Sequence, residues 1–163
     1  MTKKEKIKNF DPNGVGLNDA GVFGLPFLTS ESEVVILPVP WDVTTSFTDG
    51  TSNAPEAIIR SSKQVDMYYP EYKDAWKMGV SMGDVPLEWA DLNKHYRKRA
   101  HEVIDKLEKG KSVDDLDMVK LQSEINSQCN ELVEYVYTKA KSYLSEDKLV
   151  GVLGGDHSTP LGL

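Results

Sequence analysis

The sequence has little of what marks secreted or membrane-spanning proteins. It contains one cysteine, Cys129, among 163 residues, which excludes a disulfide within the chain and indicates a reducing compartment. The longest apolar run, residues 34–41, is short and is interrupted by Pro38 and Pro40, so no segment is expected to span a membrane. The lysines near the start are followed by no apolar segment, and no signal peptide is expected.

Positive charge is also scarce. The sequence has 19 Lys and Arg against 26 Asp and Glu, a formal net charge of −7. Such a chain would be repelled by nucleic acids and by anionic membranes, so neither is expected as a partner. The length suits one domain with a substantial core, and we expect a cytoplasmic protein.

The first 33 residues predict an irregular N-terminal arm. Turn-forming Gly, Asn and Pro are frequent between residues 9 and 33, and no hydrophobic period is sustained there. Scattered Phe and Leu side chains predict that this arm packs either on its own domain or on a neighbouring subunit.

The remaining residues predict strands alternating with helices. Residues 34–39 and 149–153 are continuous apolar runs, which is typical of strands buried on both faces of a parallel sheet, and residues 77–85 form a weaker strand candidate. Helices are predicted over 54–60, 92–109 and 121–144, from a proline in the first turn or from apolar residues recurring every three or four positions. This order predicts a doubly wound parallel α/β sheet.

In such sheets, ligands bind beyond the carboxyl ends of the strands. Three predicted loops lie there, at residues 40–53, 83–88 and 154–159. The last contains Gly154-Gly155-Asp156-His157-Ser158, in which an imidazole suited to a divalent transition metal follows a flexible turn. Two alternatives are a loop histidine bonded to a carbonyl and a glycine-rich anion loop, although the spacing fits no known phosphate-binding pattern.

Other candidate groups have ordinary structural explanations. His95 and His101 fall on the basic face of the helix predicted at 92–109, where exposure to solvent is expected. Cys129 falls on the apolar stripe of the following helix, where packing is expected. Asp42 and Asp49 lie in a ligand-side loop, where an aspartate suits either a turn or a substrate contact.

Several motifs together resemble the ureohydrolases, the family of arginase, agmatinase and formimidoylglutamase. The segment at 154–158 resembles the family's first metal-binding motif, and Gly83-Asp84-Val85 resembles the end of its second strand. The remaining matches lie at 37–42, 44–47, 50–52 and 54–58, and the whole set covers residues 34–163 in the family's order. Residues 9–16 resemble the arm of an agmatinase-like branch.

The resemblance implies a three-layer α/β sandwich with a parallel sheet, of which this chain holds the first three strands and their helices. It implies hydrolysis of a guanidino group at two Mn²⁺ ions, where bound water is acidified into a nucleophile. His157 would be a metal ligand, and Asp156 would support that ligand without binding the metal itself. The backbone of Gly154, Gly155 and Ser158 would aim the ligand. Thr45, Ser46 and Asp49 are candidates for a loop beside the substrate.

The resemblance also has gaps. The resemblance implies further metal ligands in an Asp-x-His-x-Asp segment and in a later Asp-x-Asp segment, and neither segment is expected among these residues. At most one metal ligand is therefore expected here, and no catalytic residue is identified. We expect residues 34–163 to be the N-terminal half of a ureohydrolase domain, truncated, inactive alone and carrying a helical insertion at about 91–120. The whole protein is expected to be a trimer or hexamer.

The resemblance leaves the substrate and even the activity open. Agmatine, giving putrescine and urea, is the first candidate substrate. The alternatives are formiminoglutamate, arginine or guanidine, or a non-catalytic subunit that assembles with a partner.

Overall fold

Three parallel strands organise the computed structural model, which describes residues 1–17 and 19–163. Strand β1 (Val34–Val39) lies between β2 (Val80–Met82) and β3 (Leu149–Gly154). The register pairs the first residue of β1 with the first residue of each neighbour. The carboxyl ends of all three strands therefore lie at one edge of the sheet, which confirms the predicted parallel α/β fold.

Both outer strands differ from their predictions. β2 has three residues instead of nine, because a 3₁₀ turn at Ala75–Met78 occupies the chain up to Gly79, whose φ is +81°. β3 was expected to be buried on both faces, yet its first residue, Leu149, is 68% exposed and its other five residues are only half-buried. The apolar sequence therefore did not predict how far this strand is buried.

Four α-helices accompany the sheet in the described residues: α1 (Lys3–Asn9), α2 (Ala54–Ser62), α3 (Leu87–Glu108) and α4 (Leu116–Leu144). The structure confirms the end of α3 just before Gly110, whose φ of +74° suits glycine. α4 begins five residues before its predicted start, since the carboxylate of Asp115 accepts a hydrogen bond from the backbone N–H of Asp117 and caps the helix.

The face of α3 that is buried differs from the apolar face that the sequence predicted. The predicted stripe of Leu92, Tyr96, Ala100, Val103 and Leu107 is only partly buried, and Leu107 is 40% exposed. The residues of α3 that are buried are Trp89, Asn93, Arg97, Ala100 and Val103. Polar side chains thus enter the interior where the sequence predicted an apolar helix face.

The N-terminal arm includes a helix that the sequence analysis did not predict. The hydroxyl of Thr2 accepts from the backbone N–H of Glu5, and the Glu5 carboxylate accepts from the backbone N–H of Thr2, which forms a capping box for α1. The Lys6 ammonium lies 2.6 Å from the Glu31 carboxylate. Farther along the chain, Leu25 and Phe27 pack with Trp76 in a small core cluster, so the arm packs on its own domain.

The main hydrophobic core lies between the sheet and the two long helices. Leu37 and Val39 of β1 and Trp41 just after it pack with Leu132 and Val136 of α4. Trp41 is fully buried and meets the ring of Trp89 edge-on at 5.8 Å between centroids. Within the described residues, no helix is long and apolar enough to cross a membrane.

Candidate active site

The loop that follows β3 rests directly on the loop that follows β1. The backbone N–H of Asp156 donates to the carbonyl of Trp41 over 3.0 Å. Gly155 makes this approach feasible, because a Cβ at that position would lie 2.2 Å from the same carbonyl oxygen. Two of the three predicted ligand loops are therefore joined, at the carboxyl edge of the sheet.

Asp156 connects these two loops through its side chain. One carboxylate oxygen accepts from the backbone N–H of Thr44 at 2.8 Å and from the Thr44 hydroxyl at 2.7 Å. The other oxygen accepts from the backbone N–H of Ser158 at 2.9 Å and from its hydroxyl at 2.5 Å. Asp156 is only 8% exposed, so its carboxylate links the turn around His157 to the loop after β1.

His157 lies on the outer side of this turn, with an exposed side chain. Its neighbour Asp156 already uses both carboxylate oxygens, which leaves the imidazole as the accessible group of the motif. In the described part of the chain, no three His, Cys, Asp or Glu side chains are grouped so that they could hold a metal ion. The described residues alone therefore do not fit a pair of manganese ions.

One further pair of aspartates has the Asp-x-Asp spacing of another family metal motif. Asp115 and Asp117 are separated only by Leu116, so the expectation that this spacing is absent was wrong. The structure places them at the start of α4, where the Asp115 carboxylate accepts from the Asp117 backbone N–H at 3.0 Å. The Asp115 carboxylate therefore caps α4, and Asp117 lies in the first turn of that helix.

Asp42 organises the loop after β1. Its carboxylate accepts from the backbone N–H groups of Gly50 at 2.7 Å and Ser52 at 3.0 Å, and from the Asn93 amide at 2.9 Å. Burial would raise the pKa of Asp42, but the hydrogen bonds from Ser52, Asn93 and Gly50 stabilise the charged form, and the pKa lies below its ordinary value. The turn interpretation of Asp42 therefore agrees with the structure.

α3 holds the same loop from the other side, through two residues that the sequence analysis missed. The Asn93 side-chain oxygen accepts from the backbone N–H of Asp42 at 2.8 Å. Nη1 of Arg97 donates to the carbonyls of Val43 at 3.1 Å and Thr45 at 2.5 Å. Asn93 and Arg97 are four residues apart and are followed by the buried Ala100, so their spacing along one side of the helix could have indicated an inward orientation.

The three residues predicted beside the substrate lie at two separate cavities. Thr45 and Ser46 line a cavity of about 210 Å³ between the loop, α3 and α4. Asp49 lines a cleft of about 340 Å³ together with Asp42 and Arg97. Val85, from the third predicted ligand loop, also borders this cleft.

The remaining candidates occupy the environments expected of them. The side chains of His95 and His101 are exposed on α3. Cys129 is half-buried, and burial, followed by the negative charge of Asp156, raises the pKa of its thiol. A thiol that stays protonated is a poor nucleophile, in agreement with a packing role.

The fold and the loops define a parallel α/β protein whose candidate ligand site lies at the carboxyl edge of its sheet, as the topology of such sheets requires. The model of the arginase family matches residues 32–163. The chain therefore belongs to the arginase family, which consists of ureohydrolase-type hydrolases that are generally manganese-dependent. Searches of curated proteins and of solved structures found no match.

Proposed function

We propose that this chain is the part of an agmatinase-like ureohydrolase that supplies the first metal ligand, with agmatine as substrate and putrescine and urea as products. Membership of the arginase family supports the hydrolase class. The observation that carries the ligand role is the position of His157, exposed at the carboxyl end of β3 and held there by the bonds of Asp156 to Thr44. The choice of agmatine is supported only by the resemblance of residues 9–16 to the arm of an agmatinase-like branch.

The proposed roles follow from those contacts. His157 would offer a neutral imidazole nitrogen to one Mn²⁺ ion, and two bound ions would supply a nucleophilic hydroxide at neutral pH. Asp156 would support the turn without contacting metal, because its oxygens are already bonded. Gly154, Gly155 and Ser158 would shape the turn, and Thr45, Ser46 and Asp49 would belong to the substrate side.

Further proposals concern the surroundings of the site. Residues 1–33 would form an arm and residues 34–163 the first half of the catalytic domain, with an insertion at about 91–120 that covers most of α3 and the start of α4. The protein would act in the cytoplasm as a homo-oligomer, a trimer or hexamer. Formiminoglutamate, arginine and guanidine are the alternative substrates, and a non-catalytic assembly subunit is the alternative function.

The test is a hydrolysis assay on the polypeptide that the gene's whole reading frame encodes, with Mn²⁺ and each of the four substrates, in which urea is measured for agmatine, arginine and guanidine and formamide for formiminoglutamate. We expect urea from agmatine and a loss of at least about 100-fold in kcat for His157→Ala. Mutating a residue that only hydrogen-bonds to a metal ligand already lowers metal affinity or activity by about 10- to 100-fold, and loss of a ligand itself should cost more. His95→Ala, which alters an exposed histidine of α3 outside the cleft of Asp49, is the matched control and should keep full activity.

The 163-residue chain by itself is expected to release no urea. Turnover by that chain would refute its proposed inactivity. An active whole protein whose His157→Ala variant retains its rate would refute the ligand role, and a whole protein inactive on all four substrates would favour the assembly subunit.

A further inference from the structure

We propose that Arg97 and Asn93 of α3 are positioning residues, which set the placement of the His157 turn through the loop after β1. The metal role of His157 rests on the proposed function, whereas the mechanical coupling between α3 and the turn rests on hydrogen bonds alone. The helical insertion would then act on the His157 turn through the loop after β1.

The coupling begins at Arg97. Its Nη1 donates to the carbonyls of Val43 and Thr45, the residues on either side of Thr44. Thr44 in turn donates twice to Asp156. Arg97 therefore fixes the backbone on both sides of the residue that carries the bonds to the His157 turn.

Asn93 fixes the start of the same loop. It exchanges two hydrogen bonds with Asp42, and Asp42 holds the backbone of Gly50 and Ser52 farther along the loop. Asp42 and Asn93 are 1% and 5% exposed, so water competes little for these bonds. One turn of α3 thus holds the start of the loop directly and its end through Asp42.

The burial of Arg97 is not favoured by stability alone. Arg97 is 4% exposed, and its Nε and Nη2 atoms are buried without a hydrogen-bond partner among the described residues. Burying unpartnered polar atoms of a cation costs free energy. An apolar residue could fill the same space without that cost. Only a side chain with a donor can bind the carbonyls of Val43 and Thr45.

The test compares Arg97→Met with Lys98→Met by amide hydrogen exchange measured by NMR. Lys98 is the next residue of α3, is exposed, and loses the same charge. We expect the amides of Thr44 and Ser158 to exchange at least about tenfold faster in Arg97→Met, while those of Val35 and Val39 in β1 keep their rates. Lys98→Met should change neither pair.

Two further variants separate positioning from general stability. Arg97→Lys keeps a cationic donor and should recover at least half of the change in rate. Asn93→Leu should raise the exchange rates of the Gly50 and Ser52 amides more than those of the other amides of the loop. Equal acceleration in the β1 amides, or no acceleration at Thr44 and Ser158, would overturn the proposal. Because no metal is added, these outcomes do not depend on whether His157 binds Mn²⁺.

Discussion

Asp42→Ala is expected to lower the free energy of unfolding by about 3–4 kcal/mol, because it leaves three donors without their acceptor. Those donors are the backbone N–H groups of Gly50 and Ser52 and the amide of Asn93. Denaturant unfolding of the parent and the variant measures the difference. Asp49→Ala, the same change at an exposed position of the same loop, should stay within about 0.5 kcal/mol.

The contribution of Asp42 also predicts the pH dependence of that difference. Its pKa in the folded state is lower than its ordinary value of 3.8. The charged form therefore stabilises the folded chain fully above pH 3.8, and this stabilisation is lost as the pH falls through the lowered pKa. The difference between parent and Asp42→Ala should accordingly be constant near neutrality and shrink in acid. A difference that grows on acidification would contradict the assignment.

Gly155→Ala is expected to separate the two loops and to cost about 3 kcal/mol, the upper end of the usual range for overpacking. The added Cβ would lie 2.2 Å from the carbonyl oxygen of Trp41 and 3.1 Å from the backbone nitrogen of Ser52. Backbone atoms cannot rotate away as a side-chain end can, so the turn that carries His157 must move.

A matched glycine in the same region provides the control. A Cβ at Gly151, inside β3, would have nothing within 4 Å, so Gly151→Ala should unfold at the same denaturant concentration as the parent or slightly higher. Equal stability of Gly155→Ala and Gly151→Ala would show that the loops are not in close contact.

Local patterns predicted the elements of this fold well. One local signal dominates at each of three places: the apolar run at Val34–Val39, the glycine at residue 110 and the long hydrophobic period of α4. The structure confirms the strand and the helices that these signals predicted. The order of these elements also predicted that the loops at 40–53 and 154–159 lie at the same edge of the sheet, where Thr44 and Asp156 are joined.

The polar connections across the fold were not predictable in the same way. Arg97 and Asn93 are four residues apart on a helix rich in charge. Their spacing could have indicated an inward orientation, but only the position of the β1 loop decides which groups they bind. The short β2 and the exposed side of β3 depend on neighbouring segments of the chain, which a local pattern does not contain. The sequence thus indicated where a ligand site lies, whereas the structure shows what holds it in place.

The most direct test of the central proposal, that the His157 turn binds metal, is a Mn²⁺ titration of the polypeptide that the gene's whole reading frame encodes, followed by NMR of the histidine side chains. Mn²⁺ broadens the signals of nuclei near its binding site. His95 and His101, both exposed on α3, serve as internal controls in the same sample. Our account predicts that the His157 imidazole signals broaden at lower Mn²⁺ concentrations than those of the other two. Equal broadening of all three histidines, or later broadening of His157, would contradict it.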